Sequence, residues 1–169
     1  MLNNIIKYIG ITGFFICLAI MYFTNHGIRG LRKFDANFRL LDMQFHYTTA
    51  DVYRTFEKLG SDGRLAYRNY WILDFFFIPC FLIVMLAIIY HMPLVGWVEI
   101  ALIILSILRA LFDVIENSIL LYLISKYPAQ DNLLATVCSW ITTSKFIALF
   151  LWMLGIAAML IYSLTHRSN

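Results

Sequence analysis

The side chains best suited to chemistry lie in Ser106-Ile-Leu-Arg109-Ala-Leu-Phe-Asp113-Val-Ile-Glu116-Asn117-Ser118, a set of ionisable groups inside an otherwise apolar helical run. At about 3.6 residues per turn, Ser106, Arg109, Asp113, Glu116 and Asn117 share one stripe, while Ile107, Leu108, Leu111, Phe112 and Ile115 cover the rest. A charged residue at bilayer depth costs about 2.5–3.5 kcal/mol on insertion scales, so such a stripe must face protein and find partners there. Carboxylates held beside basic groups in a dry site can bind a polar ligand, keep a proton for acid–base transfer, or carry a cation.

The elements that must position this stripe follow from composition. The chain has 169 residues, 62% of them hydrophobic and only 14% charged, with a mean hydropathy of +0.77. That is well below the roughly 25% charge of soluble domains and describes an integral membrane protein. The net charge of +3 is small and dispersed, which excludes the clustered basic face that nucleic acid needs. Cys17, Cys80 and Cys138 lie in three separate apolar runs, a poor disulfide framework. The four histidines lack HxxxH spacing and no CxxC, P-loop, GxSxG or GxGxxG pattern occurs, so neither metal nor cofactor is implied.

The expected fold is an all-α membrane protein, a four-transmembrane-helix bundle in a single domain, with spans over 5–24, 68–90, 94–125 and 133–165. The first span reads as retained rather than as a signal peptide, because its apolar run is long and no small-residue cleavage site follows. Gly10 and Gly13 would let a neighbouring helix approach it closely. Residues 25–67 form a polar cap of about 45 residues between the first two spans. Within it the alternation in 41–47 predicts an extended stretch buried on one side, through Leu41, Met43, Phe45 and Tyr47. Thr48 and Asp51 have capping-box spacing, which starts a short helix over 49–59 ended by Gly60. Ser61 or Asp62 then caps the second span, where Pro79 predicts a kink. Arg64 at a helix start opposes the dipole and so asks for a specific partner, an anionic lipid headgroup or an acidic side chain.

Because both arms of a helical hairpin rise about 1.5 Å per residue, depth can be counted from the turns. A pivot near Pro128 and Ala129 levels Asp113 with Lys145 and Glu116 with Thr142; a pivot near Pro93 levels Asp74 with Asp113. Asp74, Arg109, Asp113, Glu116, Asn117, Thr142 and Lys145 are therefore the candidate ligand-binding residues, with Arg64 added from the cap. Asp113 and Glu116 are the candidates for catalysis, should there be any. Three carboxylates against Arg109 and Lys145 leave one negative charge, to be met by a retained proton, a bound cation or a protonated ligand. Such a network can also serve only packing and register.

Tyr47-Thr48, Leu59-Gly60-Ser-Asp-Gly63-Arg64-Leu-Ala-Tyr67, Leu73-Asp74 and Asp113-Val-Ile-Glu116-Asn117 together resemble a group of small four-span bacterial membrane proteins. The resemblance covers about residues 41–145, implies the four-span fold and supplies no activity. In outline alone the chain is similar to small four-span sterol-isomerase-like proteins, whose acidic residues sit in a membrane cavity.

The functional expectation is a cavity that binds a membrane lipid headgroup or small amphiphile, with acid–base chemistry open to it. The alternatives are a proton- or cation-coupled transporter, against which the absence of internal repeats counts, and an immunity or accessory protein of a membrane complex. Partners on these readings are a lipid or amphiphile, a second copy, or another membrane protein.

Arg29, Arg32, Lys33, Arg39, Arg54, Lys58, Arg64, Arg68 and Lys126 fall on one side of the spans, against Lys7 and Arg167 on the other. The positive-inside bias then makes the 25–67 segment cytoplasmic and puts both termini outside in a multi-pass cell-membrane protein. A reporter joined after Asn169 should accordingly be active only as a non-cytoplasmic fusion; a cytoplasmic signal would reverse the orientation.

Overall fold

The computed structural model describes residues 4–92 and 96–166. Among them 84% are helical and none is in a strand. Four long helices make the fold: α1 (Asn4–Phe23), α3 (Thr49–His91), α4 (Trp97–Lys126) and α5 (Asn132–His166), with one short turn of helix, α2 (Ile28–Leu31), after the first. Three segments are long and apolar enough to cross a membrane: Asn4–Leu31, Thr49–His91 and Asn132–Thr165. This is the composition of a membrane protein. The expected start of the third span at 94 lies outside the described residues, and α4 runs from Trp97.

The helices pack in sequence, α1 on α3, α3 on α4 and α4 on α5, whereas α1 and α5 share no comparable contact. Glycine sets the first of these interfaces. A Cβ on Gly10 would stand 2.3 Å from Ile83 Cγ2, and one on Gly13 2.6 Å from Cys80 Sγ, so larger residues would force α1 away from α3. Phe14 fills the next turn by stacking on Phe77, ring centroids 5.3 Å apart. Many large apolar side chains, among them Ile9, Phe76, Ile104, Leu111 and Phe150, point outward around the bundle. Water would not tolerate so continuous a belt, and lipid does.

Thr48 caps α3 as its spacing requires: its Oγ1 accepts from Asp51 N at 3.2 Å, and its own N–H donates to Asp51 Oδ2 at 2.9 Å. The expected short helix and second span are one continuous element, interrupted only where Gly60 takes φ 64° and ψ −173°. That region is open essentially to glycine alone. No side-chain cap from Ser61 or Asp62 is needed to restart the helix, and Pro79 lies within it at helical backbone angles.

The segment between α2 and α3 departs most from expectation. In place of an extended stretch, Leu41–Met43 form a 3₁₀ turn. The anticipated alternation also fails, for Met43 and Phe45 are exposed while Asp42 is buried beside Leu41 and Tyr47. Phe38, Leu40, Leu41 and Tyr47 of this segment join Met21, Phe56, Tyr67, Trp71 and Leu120 in the larger apolar core. Of the four tryptophans, Trp71 and Trp152 are core residues, while Trp97 and Trp140 are exposed.

Candidate functional site

An irregular segment inserted among helices brings backbone N–H and C=O groups that need partners away from water. One face of α5 supplies them. Ser139 Oγ accepts from Tyr47 N at 3.0 Å, Thr143 Oγ1 donates to Phe45 O at 2.8 Å, and Lys145 Nζ donates to Asp42 O at 2.9 Å. Tyr67 of α3 completes the set, its Oη accepting from Leu41 N at 2.9 Å. His46 follows the same seam, with Nδ1 3.0 Å from Ser139 Oγ and its ring against Trp140.

Behind this seam lies the charged layer. Lys145 Nζ is 2.9 Å from Asp113 Oδ1 and 2.5 Å from Glu116 Oε2. With Asp42 O it thus uses all three ammonium donors. The Thr142 hydroxyl donates to Glu116 Oε1 at 2.6 Å and lies 3.1 Å from Tyr47 Oη. Arg109 Nη2 reaches Asp113 Oδ2 at 2.6 Å within the same helix, a charge contact without hydrogen-bond alignment, and its guanidinium lies 4.1 Å over the Phe81 ring. Asn117 Nδ2 donates to Asp74 Oδ2 at 2.6 Å, which ties α4 to α3. Asp74, Arg109, Asp113, Glu116, Asn117, Thr142 and Lys145 are all buried, and Lys145 and Thr142 meet Asp113 and Glu116 at the level the hairpin count gives them.

Arg64 is elsewhere. Its Nη1 donates to Phe56 O at 3.1 Å and its guanidinium stacks over Tyr127 at 4.6 Å. Its partners are thus a backbone carbonyl one turn before Gly60 and an aromatic ring, not an acid, and it does not line the cavity described next.

The sequence reading misses Asp42. Its carboxyl is 4% exposed, and Oδ1 has no partner. Nothing in its neighbourhood marks it, because an acidic residue in a polar segment ordinarily faces water. It raises the layer to four carboxylates, Asp42, Asp74, Asp113 and Glu116, against two cations, Arg109 and Lys145.

Asp42, Asp74, Arg109, Asp113 and Lys145 line one side of a cavity of about 160 Å³. Its other walls are apolar and aromatic, drawn from α1, α3 and α5. Three of these lining residues also carry buried atoms without a hydrogen-bond partner: Arg109 Nε and Nη1, Asp42 Oδ1 and Asp113 Oδ2. A larger depression of about 580 Å³ runs past Thr49, Arg54, Glu57 and Gln130, but it contains no buried unpartnered polar atom. Unmet hydrogen-bonding capacity therefore selects the smaller cavity. Among the described residues no three His, Cys, Asp or Glu side chains are grouped to hold a metal ion.

Fold and site together define an all-helical membrane protein with a buried ion-pair layer beside a small, mostly apolar cavity. No protein-family model, curated protein or solved structure matches the chain.

Two outcomes follow. Lys145→Met leaves Asp113 and Glu116 buried without their cation, a loss of about 3–5 kcal/mol and roughly 10 °C in thermal midpoint in detergent. Adding Glu116→Gln should recover part of it, and a single variant as stable as the parent would show the layer to be energetically idle. For Asp42, which lies outside the helices, burial pushes the carboxyl up from 3.8 to about 7. Lys145 pulls the other way, while Glu116 and Asp113 add to the rise. Asp74, Tyr67 and Tyr70 also face it. Between these values the folded state holds a proton that the unfolded chain has released, so this stability is full below about pH 4 and lost as pH rises through about 7. The thermal midpoint should fall from pH 5 to pH 8 in the parent and fall less in Asp42→Asn; equal slopes would remove Asp42 from the titration.

Proposed function

We propose that this protein is a four-span membrane protein whose cavity binds a small amphiphile or a lipid headgroup. The observation that carries the reading is that Arg109 and Asp42 both line one largely apolar cavity and each keeps buried polar atoms without a hydrogen-bond partner. A buried polar group without a partner costs about 1–3 kcal/mol, and more if charged, so a ligand that meets these atoms is favoured over an empty or purely apolar filling. An anionic portion of such a ligand would meet Arg109 rather than Lys145, whose three donors are committed to protein.

The fourth span is α4. Its 30 residues extend about 45 Å as a helix, more than the hydrocarbon thickness of roughly 30 Å. Hydropathy summed over all faces counts Arg109, Asp113 and Glu116 against it, yet these side chains are buried and paired. Its outward face is Ile100, Ile104, Ile107, Leu111 and Val114, which suits lipid. On this reading the 25–67 segment enters the bundle from the cytoplasmic side.

Mass spectrometry of the protein purified in mild detergent should find a co-purifying amphiphile at near-stoichiometric level. Leu149→Trp, which fills the cavity wall without touching a charge, should lose it. Retention of the same molecules at the same level by that variant would reduce them to annular lipid and refute the proposal.

A further inference from the structure

The cavity's electrostatics, walls and outlet narrow the chemistry of what it holds. Its lining carries three carboxylates, Asp42, Asp74 and Asp113, against Arg109 and Lys145, with Glu116 immediately behind Lys145. Both cations already face carboxylates, Lys145 through two ion pairs and Arg109 through Asp113. Carboxyl groups therefore outnumber basic groups at this wall, and Asp42, buried with Oδ1 unpartnered, is among the lining residues; an ammonium group seated there takes the place of the proton that Asp42 otherwise keeps. An anionic head could meet only Arg109, whose guanidinium is already paired with Asp113, and would do so among three carboxyl groups.

The remaining walls favour a cation as well. Tyr22, Tyr70, Phe77, Phe81 and Phe146 line the space, and aromatic faces attract ammonium groups when both are desolvated. Size gives a third constraint. A volume of about 160 Å³ matches the liquid share of about five water molecules, enough for a small head and its first carbons but not for a long chain. The chain must leave. Leu18 and Met21 of α1 face Phe146 and Leu149 of α5 across the lining, and these are the two neighbouring helices that are not packed on one another. An apolar chain has its least obstructed way out between these two helices.

We infer that the bound amphiphile carries a protonated amine, seated against Asp42 and Asp113 among the aromatic rings, with its apolar chain leaving between α1 and α5 into the bilayer. This rests on the cavity function proposed above and specifies its ligand class. The shared chemistry is the ammonium group, whether on a free alkylamine or on a lipid headgroup.

The test compares dodecylamine, dodecanoate and dodecanol, added at equal mole fraction to the full chain in maltoside micelles at pH 7, with the thermal midpoint as read-out. Dodecylamine should raise the midpoint by about 3 °C or more, with little response to the other two. The rise should vanish in Asp42→Asn and in Leu149→Trp; the second variant leaves every charge in place and carries the test should the first not fold. A dodecylamine effect that survives in Leu149→Trp, or an equal effect of dodecanol, would be a micelle effect and would overturn the inference. A rise with dodecanoate alone would overturn the amine while leaving an amphiphile cavity standing, and no response to any of the three would overturn both. With a positive amine response, a higher midpoint in ethanolamine-phospholipid than in glycerol-phospholipid nanodiscs would assign the ammonium to a lipid headgroup. Equal midpoints would assign it to a free amine.

Discussion

The structure depends on one ammonium group. Lys145 Nζ bonds Asp113 and Glu116 of α4 and the carbonyl of Asp42 in the inserted segment, so a single point charge joins α5, α4 and the connection between α2 and α3. No apolar side chain could replace it there, because the groups it meets are two carboxylates and a carbonyl in a region closed to water. A lysine has three donors that can be aimed independently, which suits three acceptors from different elements better than the planar fork of arginine would. Around it the hydroxyls of Ser139, Thr142 and Thr143 extend the same role along the helix.

That arrangement explains why α5 is polar on one face. Those side chains would be costly if turned to lipid, and they are not there chiefly to bind one another. They satisfy the backbone of a non-helical segment buried against the helices, where its polar groups would otherwise lack partners. Tyr67 performs the same service from α3 through Leu41. The inserted segment in turn brings Asp42 to a buried place where carboxyl groups already outnumber basic ones, which is why its proton is held. The scaffold and the candidate site are thus built from the same contacts, Lys145 holding the wall and Asp42 facing the space.

Helix order shapes the cavity as much as charge does. Gly10 and Gly13 draw α1 tightly onto α3, and the long hairpin holds α4 against α5, but nothing comparable closes α1 on α5. The charged layer therefore has protein behind it and an apolar cleft in front. Arg109 sits at the join, one arm on Asp113, its face on Phe81, and two nitrogens without a partner.

Much of the site was legible before any coordinates. Helical periodicity aligned Arg109, Asp113, Glu116 and Asn117, and equal rise from a short turn levelled Asp113 with Lys145 and Glu116 with Thr142, because an antiparallel hairpin leaves almost no freedom in depth. Capping-box spacing likewise located the start of α3, and Gly60 its break, since both are properties of a few consecutive residues. What the sequence could not decide is what depends on a distant surface. Alternation over 41–47 pointed to a half-buried strand, yet the pairing partner was a row of side chains on α5 about a hundred positions away, so Asp42 went in and Met43 and Phe45 stayed out. The same applies to Arg64, whose need for a partner was plain but whose partners, the Phe56 carbonyl and the Tyr127 ring, were set by how α3 breaks and where the α4–α5 turn lands. Local pattern determined which groups had to be buried and at what depth; only tertiary packing determined which of them were left unsatisfied, because that depends on every neighbour at once.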